Sequence, residues 1–187
     1  TLPSRKAWGE NLMAFAIFAK RHPDALLYLH TEARSQFGID LVSLVEACGI
    51  PSEQVQFAEP YQHRMGVDDK TMAQIYTRSD VLLSATAGEG FGLPVLEAQG
   101  CGTRVVVSDF SAQPELVGDG WLAQVQPQWN PSQLGWFATP MIHSIVDGLE
   151  AAYEAGGGHS DKAVEFAQQY EADRVFNERW VPLLEAA

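Results

Sequence analysis

The 187-residue chain reads as an α/β protein in which a parallel sheet carries helices on both faces. Short apolar runs such as Ala25-Leu26-Leu27-Tyr28-Leu29 and Val105-Val106-Val107 alternate with stretches whose apolar residues recur at helical spacing. The runs are apolar throughout, where a half-exposed strand would alternate, and strands covered on both sides by helices have that composition. With 46% hydrophobic residues the chain has enough apolar surface for one core, so a single domain over 1–187 is expected.

In chain order, Trp8, Leu12, Phe15, Ala16 and Ala19 fall on one helix face, and His22-Pro23-Asp24 stops that helix before the first strand. Leu41, Leu44, Val45 and Cys48 form a second amphipathic helix, closed by Gly49 and Pro51, and Val55-Gln56-Phe57 follows as a brief strand. A polar loop is expected through Glu59-Pro60-Tyr61, then a short helix over 70–78, a buried strand over 80–84, a helix over 93–100 and the valine strand over 104–108. A last weak strand falls at 121–125, and the Pro, Gln and Trp content of 126–140 reads as a loop. Beyond it the chain is helical. Ile142, Ile145, Val146, Leu149 and Tyr153 line one face, Gly156-Gly157-Gly158 breaks the helix, and Ala163, Phe166, Ala167 and Tyr170 line the next. Phe176, Trp180, Leu183 and Leu184 line the last, and all three stripes read as core-packing faces. Repeated strand–helix–strand units with right-handed crossovers give a Rossmann-like sheet with extra C-terminal helices.

Twelve Lys and Arg against 24 Asp and Glu leave a net charge of -12, and no run of bases exceeds two residues, which argues against a nucleic-acid partner. A small anion is still compatible with that balance, because a pair of bases and backbone N–H groups hold a phosphate locally. The two cysteines, Cys48 and Cys101, give neither a disulfide framework nor a zinc spacing, so a reducing, cytoplasmic setting is expected. No stretch has the apolar length of a membrane span, and the opening Thr1-Leu2-Pro3 lacks the basic and apolar regions of a signal peptide. The start reads as mid-protein sequence, one domain of a longer enzyme.

The chemistry concentrates between the strand ending near Ser84 and the helix beginning near Leu93. Gly88, Gly90 and Gly92 let the backbone take unusual dihedrals and approach a ligand closely, and Pro94 suits the first turn of a helix. The helix N-terminus offers N–H groups and partial positive charge to whatever occupies the loop. Glu89 and Glu97, eight residues apart, can face one crevice without touching; carboxylates repel a bare phosphate but accept hydrogen bonds from vicinal hydroxyls. A phosphate-friendly helix end beside hydroxyl-friendly acids suggests a nucleotide sugar.

The string Glu89-Gly90-Phe91-Gly92-Leu93-Pro94, with Glu97 completing Glu-x7-Glu and Ala98, Gly100 and Gly102 before the valine strand, resembles the donor-binding motif of retaining glycosyltransferases of family 4, also called group 1. The likeness extends to Arg5-Lys6, Arg21-His22-Pro23-Asp24-Ala25, Ile75-Tyr76 and Glu115-Leu116-Val117. It matches the C-terminal, donor-binding half of the two-domain GT-B architecture, so the acceptor-binding domain, a first strand and the arginine at its end are expected to lie outside this chain. The resemblance implies catalytic roles for Glu89 and Lys6, with Glu89 beside the donor sugar or its diphosphate and Lys6, flanked by Arg5, neutralising the diphosphate. It implies that Glu97 accepts from the ribose hydroxyls, that Gly90, Phe91 and Gly92 hold sugar hydroxyls through the backbone, and that the N–H near Leu93 faces a phosphate. Glu59-Pro60-Tyr61 falls where the family's base-binding loop lies, which puts Tyr61 among the substrate-binding residues, although an ordinary turn fits those residues as well. No metal or cofactor is implied beyond the nucleoside diphosphate sugar itself, and the isolated domain is expected to lack turnover. Arg104 stands where the family often has proline.

Competing chemistries lack their motifs. Asp68-Asp69 reads as a solvated loop, and His22, His30, His63, His143 and His159 have no zinc spacing. There is no Gly-x-Ser-x-Gly elbow and no Walker-type Gly-x4-Gly-Lys sequence, and Phe91 and Pro94 spoil a dinucleotide fingerprint. The alternative to a transferase is a non-catalytic nucleotide-sugar binding module of the same fold; an epimerase or a phosphorylase is a further one, the latter needing a pyridoxal lysine for which no motif stands.

Overall fold

The computed structural model describes residues 5–34 and 39–186; the Thr1-Leu2-Pro3 opening lies outside the described residues. Helix α1 (Trp8–Ala19) leads to strand β1 (Leu27–Leu29), helix α2 (Leu41–Cys48) and strand β2 (Val55–Phe57), which pairs in parallel with β1. Helices α3 (Pro60–Met65) and α4 (Asp69–Arg78) follow. Strand β3 (Val81–Ser84), helix α5 (Leu93–Gly100), strand β4 (Arg104–Ser108) and strand β5 (Gly120–Ala123) then build a second parallel ladder in the order β3-β4-β5. The expected α/β class holds, with helices on both sides.

Strand β4 explains why its valines are contiguous. Val106 points into a core built from Leu12 and Phe15 of α1, Ala123 of β5, and Ile145 and Leu149 of the later helix α6 (Ile142–Glu154). Val105 and Val107 point the other way, against Tyr76 of α4, Val95 and Leu96 of α5, and Leu116. Successive side chains of a strand alternate faces, so a strand covered on both sides buries every residue. All three valines are fully buried, worth roughly 1.5–3 kcal/mol each.

Polar residues end the helices as their chemistry dictates. The side chain of Asp40 accepts from the Ser43 N–H at 3.1 Å at the start of α2, and Gly49 closes that helix in the left-handed region. Asp68, read as part of a solvated loop, instead caps α4 by accepting from the Thr71 N–H at 2.7 Å. The stretch expected as loop at Glu59-Pro60-Tyr61 is the start of α3: Glu59 caps it through the Gln62 N–H at 2.7 Å and Pro60 occupies the first turn, where a missing N–H costs nothing.

Two expectations are overturned. Residues 126–140 are not a loop but lie within an antiparallel hairpin of β6 (Val125–Asn130) and β7 (Gly135–Pro140). Pro127, Pro131 and Pro140 disguise it, since proline within a run argues against an interior strand; a two-stranded ribbon has only edges and accepts it. The stripe of Phe176, Trp180, Leu183 and Leu184 is not core, for all four are exposed. After α7 (Asp161–Ala167), the chain continues through α8 (Ala172–Val175), a π turn at Phe176–Trp180 and α9 (Val181–Glu185); α8 and the π turn form a wall of an open groove of about 900 Å³ whose other side is Phe91, Leu93 and Leu96. Periodicity marks an apolar face but not what covers it. Tyr153, counted in the α6 stripe, and Tyr170, counted in the stripe of Ala163, Phe166 and Ala167, are exposed, while Ile145, Val146, Leu149 and Ala163 are buried as expected.

At the opposite end of the sheet from the glycine-rich loop, Arg104 pairs with Asp119 at 3.0 Å, and the Ser160 hydroxyl, which caps α7, donates to the same carboxylate at 2.5 Å. Burial alone would raise the Asp119 pKa, but the hydrogen bonds from Ser160 and Arg104 and the charges of Arg104 and Lys162 outweigh it and hold the carboxyl below its ordinary value. A folded-state pKa below the unfolded one gives stability that is present above the unfolded value and lost as pH falls through the folded one. Wild-type unfolding free energy should therefore decline as pH drops below about 4. Asp119→Asn should lose about 1–3 kcal/mol at neutral pH and show a flatter acid limb in urea titrations; an unchanged acid limb would remove Asp119 as its source.

Candidate functional site

The site is built where β3 ends. Beyond Ser84 the chain leaves the sheet at Ala85 and Thr86, and neutral polar side chains from the β4 side hold its backbone. The Ser108 hydroxyl donates to the Thr86 carbonyl at 2.7 Å, and the Gln113 amide donates to the Ser84 carbonyl at 2.7 Å. The Gln113 carbonyl oxygen in turn accepts from the Ser108 N–H at 3.2 Å and the Thr86 hydroxyl at 3.3 Å. Thr86, Ser108 and Gln113 are fully buried, and burial of polar groups is tolerable because they satisfy one another.

The N-terminal turn is bound onto this strand end. Ala87 N–H donates to the Arg5 carbonyl at 2.9 Å. The carboxamide nitrogen of Asn11, on α1, donates to the carbonyls of Ala85 at 2.7 Å, Ala7 at 2.8 Å and Lys6 at 3.1 Å. Ala7, which precedes α1, takes the left-handed conformation (φ 48°, ψ 47°), a cost of roughly 1–2 kcal/mol for a residue with a Cβ. The clamp from Asn11 sustains that turn, and its own carbonyl oxygen is buried without a partner among the described residues. The turn presents Arg5 and Lys6 to Glu89. Lys6 Nζ lies 2.7 Å from Glu89 Oε1, and Arg5 Nη1 lies 3.0 Å from Oε2. The Glu89 side chain is only 10% exposed, whereas those of Lys6 and Arg5 are 42% and 53% exposed. A sheltered carboxylate thus orients two cations whose flanks face solvent.

Glu97 sits on the second turn of α5 and is exposed. Its Oε2 accepts from the Tyr76 hydroxyl at 3.1 Å. Burial, then the adjacent Glu97 charge and the hydrogen bond to it, push the Tyr76 pKa well above its ordinary value, so Tyr76 is a fixed donor that sets the orientation of Glu97. Gly92, immediately before α5, has φ 109° and its missing Cβ would lie 3.4 Å from Leu116. Gly90 differs: it has no positive φ and nothing within 4 Å of where a Cβ would stand. Phe91 and Leu93 are exposed on the loop and first turn, with Phe91 edge-on to Tyr170 at 6.2 Å.

The structure thus brings Arg5, Lys6 and Glu89 together, with Gly90, Phe91, Gly92, Leu93 and Glu97 following along one loop and helix end. Tyr61 stands apart on α3 at 70% exposure, and no hydrogen bond, ion pair or ring contact of the described residues links it to that group. Sequence reasoning missed Asn11, Thr86, Ser108 and Gln113. Asn11 alone left a signal, a polar residue three positions after Trp8 on the apolar face of its helix. Among the described residues no group of three or more His, Cys, Asp or Glu side chains is placed to hold a metal ion, and no helix is long and apolar enough to cross a membrane.

Residues 12–135 match the family model described as Glycosyl transferases group 1. The chain is 29% identical over 170 residues to the D-inositol 3-phosphate glycosyltransferase of Segniliparus rotundus, a match covering 82% of this chain and 36% of that enzyme. It therefore spans about a third of that relative's length. Among solved structures, it is similar to a chain of the GtfA/B complex (TM-score 0.71, 21% identity, 99% of this chain and 34% of that one). It is also similar to the C-terminal domain of a glycosyl transferase group 1 family protein, LpcC, from Francisella tularensis (TM-score 0.59, 23% identity, 95% and 81%). At these identities the structural likenesses concern the fold.

Asn11→Leu keeps the volume of the side chain but removes the donor shared by three carbonyls, and should cost about 1–3 kcal/mol in denaturant unfolding. Gly92→Ala should cost about 1 kcal/mol through backbone strain, while Gly90→Ala should leave the melting temperature unchanged. Equal destabilisation by the two alanines would contradict the conformations described.

Proposed function

Because this chain belongs to the group 1 glycosyl transferases, we propose that it is the donor-binding unit of a family 4 retaining enzyme, one that binds a nucleoside diphosphate sugar and supports transfer of its hexose to an acceptor. The observation that carries this reading is the pairing of Arg5 and Lys6 with the sheltered carboxylate of Glu89, at the rim from which the Gly88–Gly92 loop and the α5 N-terminus begin. The trio carries one positive charge more than negative, in a chain whose total is -12, and α5 adds its partial positive end. Departure of a nucleoside diphosphate develops negative charge there, and cations held in place stabilise it more in the transition state than in the ground state.

Glu89 would position Lys6 and Arg5 and border the donor sugar. Each of its oxygens already meets a cation, which suits that role and not covalent attack on the anomeric carbon. Retention then follows from attack by the acceptor on the face the diphosphate leaves. Glu97, aimed by Tyr76, would accept from the ribose hydroxyls, and the backbone of Gly90, Phe91, Gly92 and Leu93 would hold sugar and phosphate oxygens. Tyr61 would contact the base from α3. Charge neutralisation by Arg5, Lys6 and the helix end leaves no step for a metal. A further domain would supply most of the acceptor site, in keeping with the third of the relative's length that this chain spans, and the isolated chain would bind donor without turnover. Cys48 and Cys101, both free thiols, suit a cytoplasmic enzyme.

Calorimetric titration with UDP-, GDP- and ADP-sugars is the direct test, and one series should bind. Lys6→Met should weaken the matching nucleoside diphosphate about tenfold or more, with little effect on the nucleoside alone, and Gly90→Ala should weaken the nucleotide sugar while leaving stability intact. A folded chain that binds none of the three series would overturn the reading.

A further inference from the structure

We infer that Trp129 and Trp136, on the hairpin of β6 and β7, form a stacking platform for a neutral sugar ring of the acceptor. The inference rests on the transferase reading above and assigns to the same crevice a second ligand. The hairpin leaves β5 at its C-terminal end, the edge of the sheet where the glycine-rich loop also emerges. It is tied to that loop directly, since the Ala138 N–H of β7 donates to the Ala87 carbonyl at 3.0 Å, two residues before Glu89.

Register then fixes where the tryptophans stand. Pro127 opposes Ala138, and Trp129 opposes Trp136. The Ala138 N–H points away from β6 to Ala87, so its pair is a non-hydrogen-bonded one, and the tryptophan pair two residues further on is of the same kind, the kind in which side chains approach most closely. The rings meet edge to face at 5.5 Å. Side chains two apart share a face, so the tryptophans lie on the side of Ala138, which is buried against the domain. They stand about 7 Å along the strand from the Ala87 contact. They are nevertheless 50% and 62% exposed, the state of a surface built to be covered.

Charge selects the occupant. Residues 125–140 contain no Asp, Glu, Lys or Arg, although charged residues make up 19% of the chain; the polar groups there are the amides of Gln126, Gln128, Asn130 and Gln133 and the hydroxyls of Ser132 and Thr139. Gln126, Gln128 and Thr139 lie on the opposite face of the hairpin, so the tryptophan face offers exposed aromatic rings and no charge, which matches the C–H face of a sugar ring, while Ser132 and Gln133 of the turn are left to meet its hydroxyls. A phosphate-bearing ligand would find no cation on the hairpin. The donor sugar belongs at the glycine backbone beside Glu89, nearer the sheet, which leaves the platform to the acceptor. A second copy adding a strand is disfavoured: the outward position on β6 is held by Pro127, which has no N–H to offer.

Indole N–H spectra of the chain test this, with the five tryptophans assigned by single Trp→Phe variants. Methyl α-mannoside, mannobiose and maltose are titrated through the millimolar range, with glucose 6-phosphate as the anionic control and donor binding followed in parallel by calorimetry. At least one neutral sugar should shift Trp129 and Trp136 while Trp8 and Trp180 stay in place, and Trp136→Ala should weaken that binding about tenfold without altering nucleotide binding. If donor binds and no neutral sugar moves the two signals, the platform is wrong and the donor reading survives. If neutral sugars move them and no nucleotide sugar binds, the platform stands and the donor reading falls. Shifts produced by the donor alone, by glucose 6-phosphate as strongly as by the neutral sugars, or by raising protein concentration without sugar would each overturn the acceptor assignment.

Discussion

A single residue, Ala87, joins the N-terminal turn, the end of β3 and the tryptophan hairpin. Its N–H donates to the carbonyl of Arg5, and its carbonyl accepts from Ala138. One bond brings the N-terminal turn, with Arg5 and Lys6, to the end of β3; the other brings the tryptophan hairpin to the same point. The residue can serve both only because the chain has left the ladder: β3 pairs with β4 through Ser84, and beyond it the backbone groups are open to other partners. Buried Thr86, Ser108 and Gln113 keep the segment in place while it does so.

Electrostatics follow from that geometry. A chain of net charge -12 repels anions at long range, yet within a Debye length local arrangement dominates. Glu89 is part of this arrangement: set between Arg5 and Lys6 it offsets the repulsion between two neighbouring cations and holds both beside the glycine-rich loop. Cations on mobile side chains lose much of their effect to reorganisation, whereas a sheltered carboxylate fixes the orientation of these two.

Much of the fold was legible because β4 is buried on both faces and α5 begins on a glycine and a proline, local features with local signatures. The loop from Gly88 to Gly92 and the start of α5 were legible for the same reason. What escaped were features whose signals are ambiguous in one dimension. Prolines in the hairpin look like loop residues until the strands prove to be edges, and Phe176, Trp180, Leu183 and Leu184 look like a core stripe until they prove to have no cover. Asn11, Thr86, Ser108 and Gln113 are ordinary polar residues by type, and their roles come largely from backbone and side-chain groups contributed by other segments.

The sequence by itself determined the α/β alternation, the glycine-rich turn and the residue types assembled there, because backbone dihedral preference, helix capping and hydrophobic period act over a few neighbouring residues. Only the tertiary structure decided that Lys6 meets Glu89 across 83 residues, that Asn11 holds the turn between them, and that the tryptophan hairpin leans on Ala87. Those contacts depend on how the crossovers return each strand to the same edge of the sheet, and partners that distant in the chain leave no mark on local pattern.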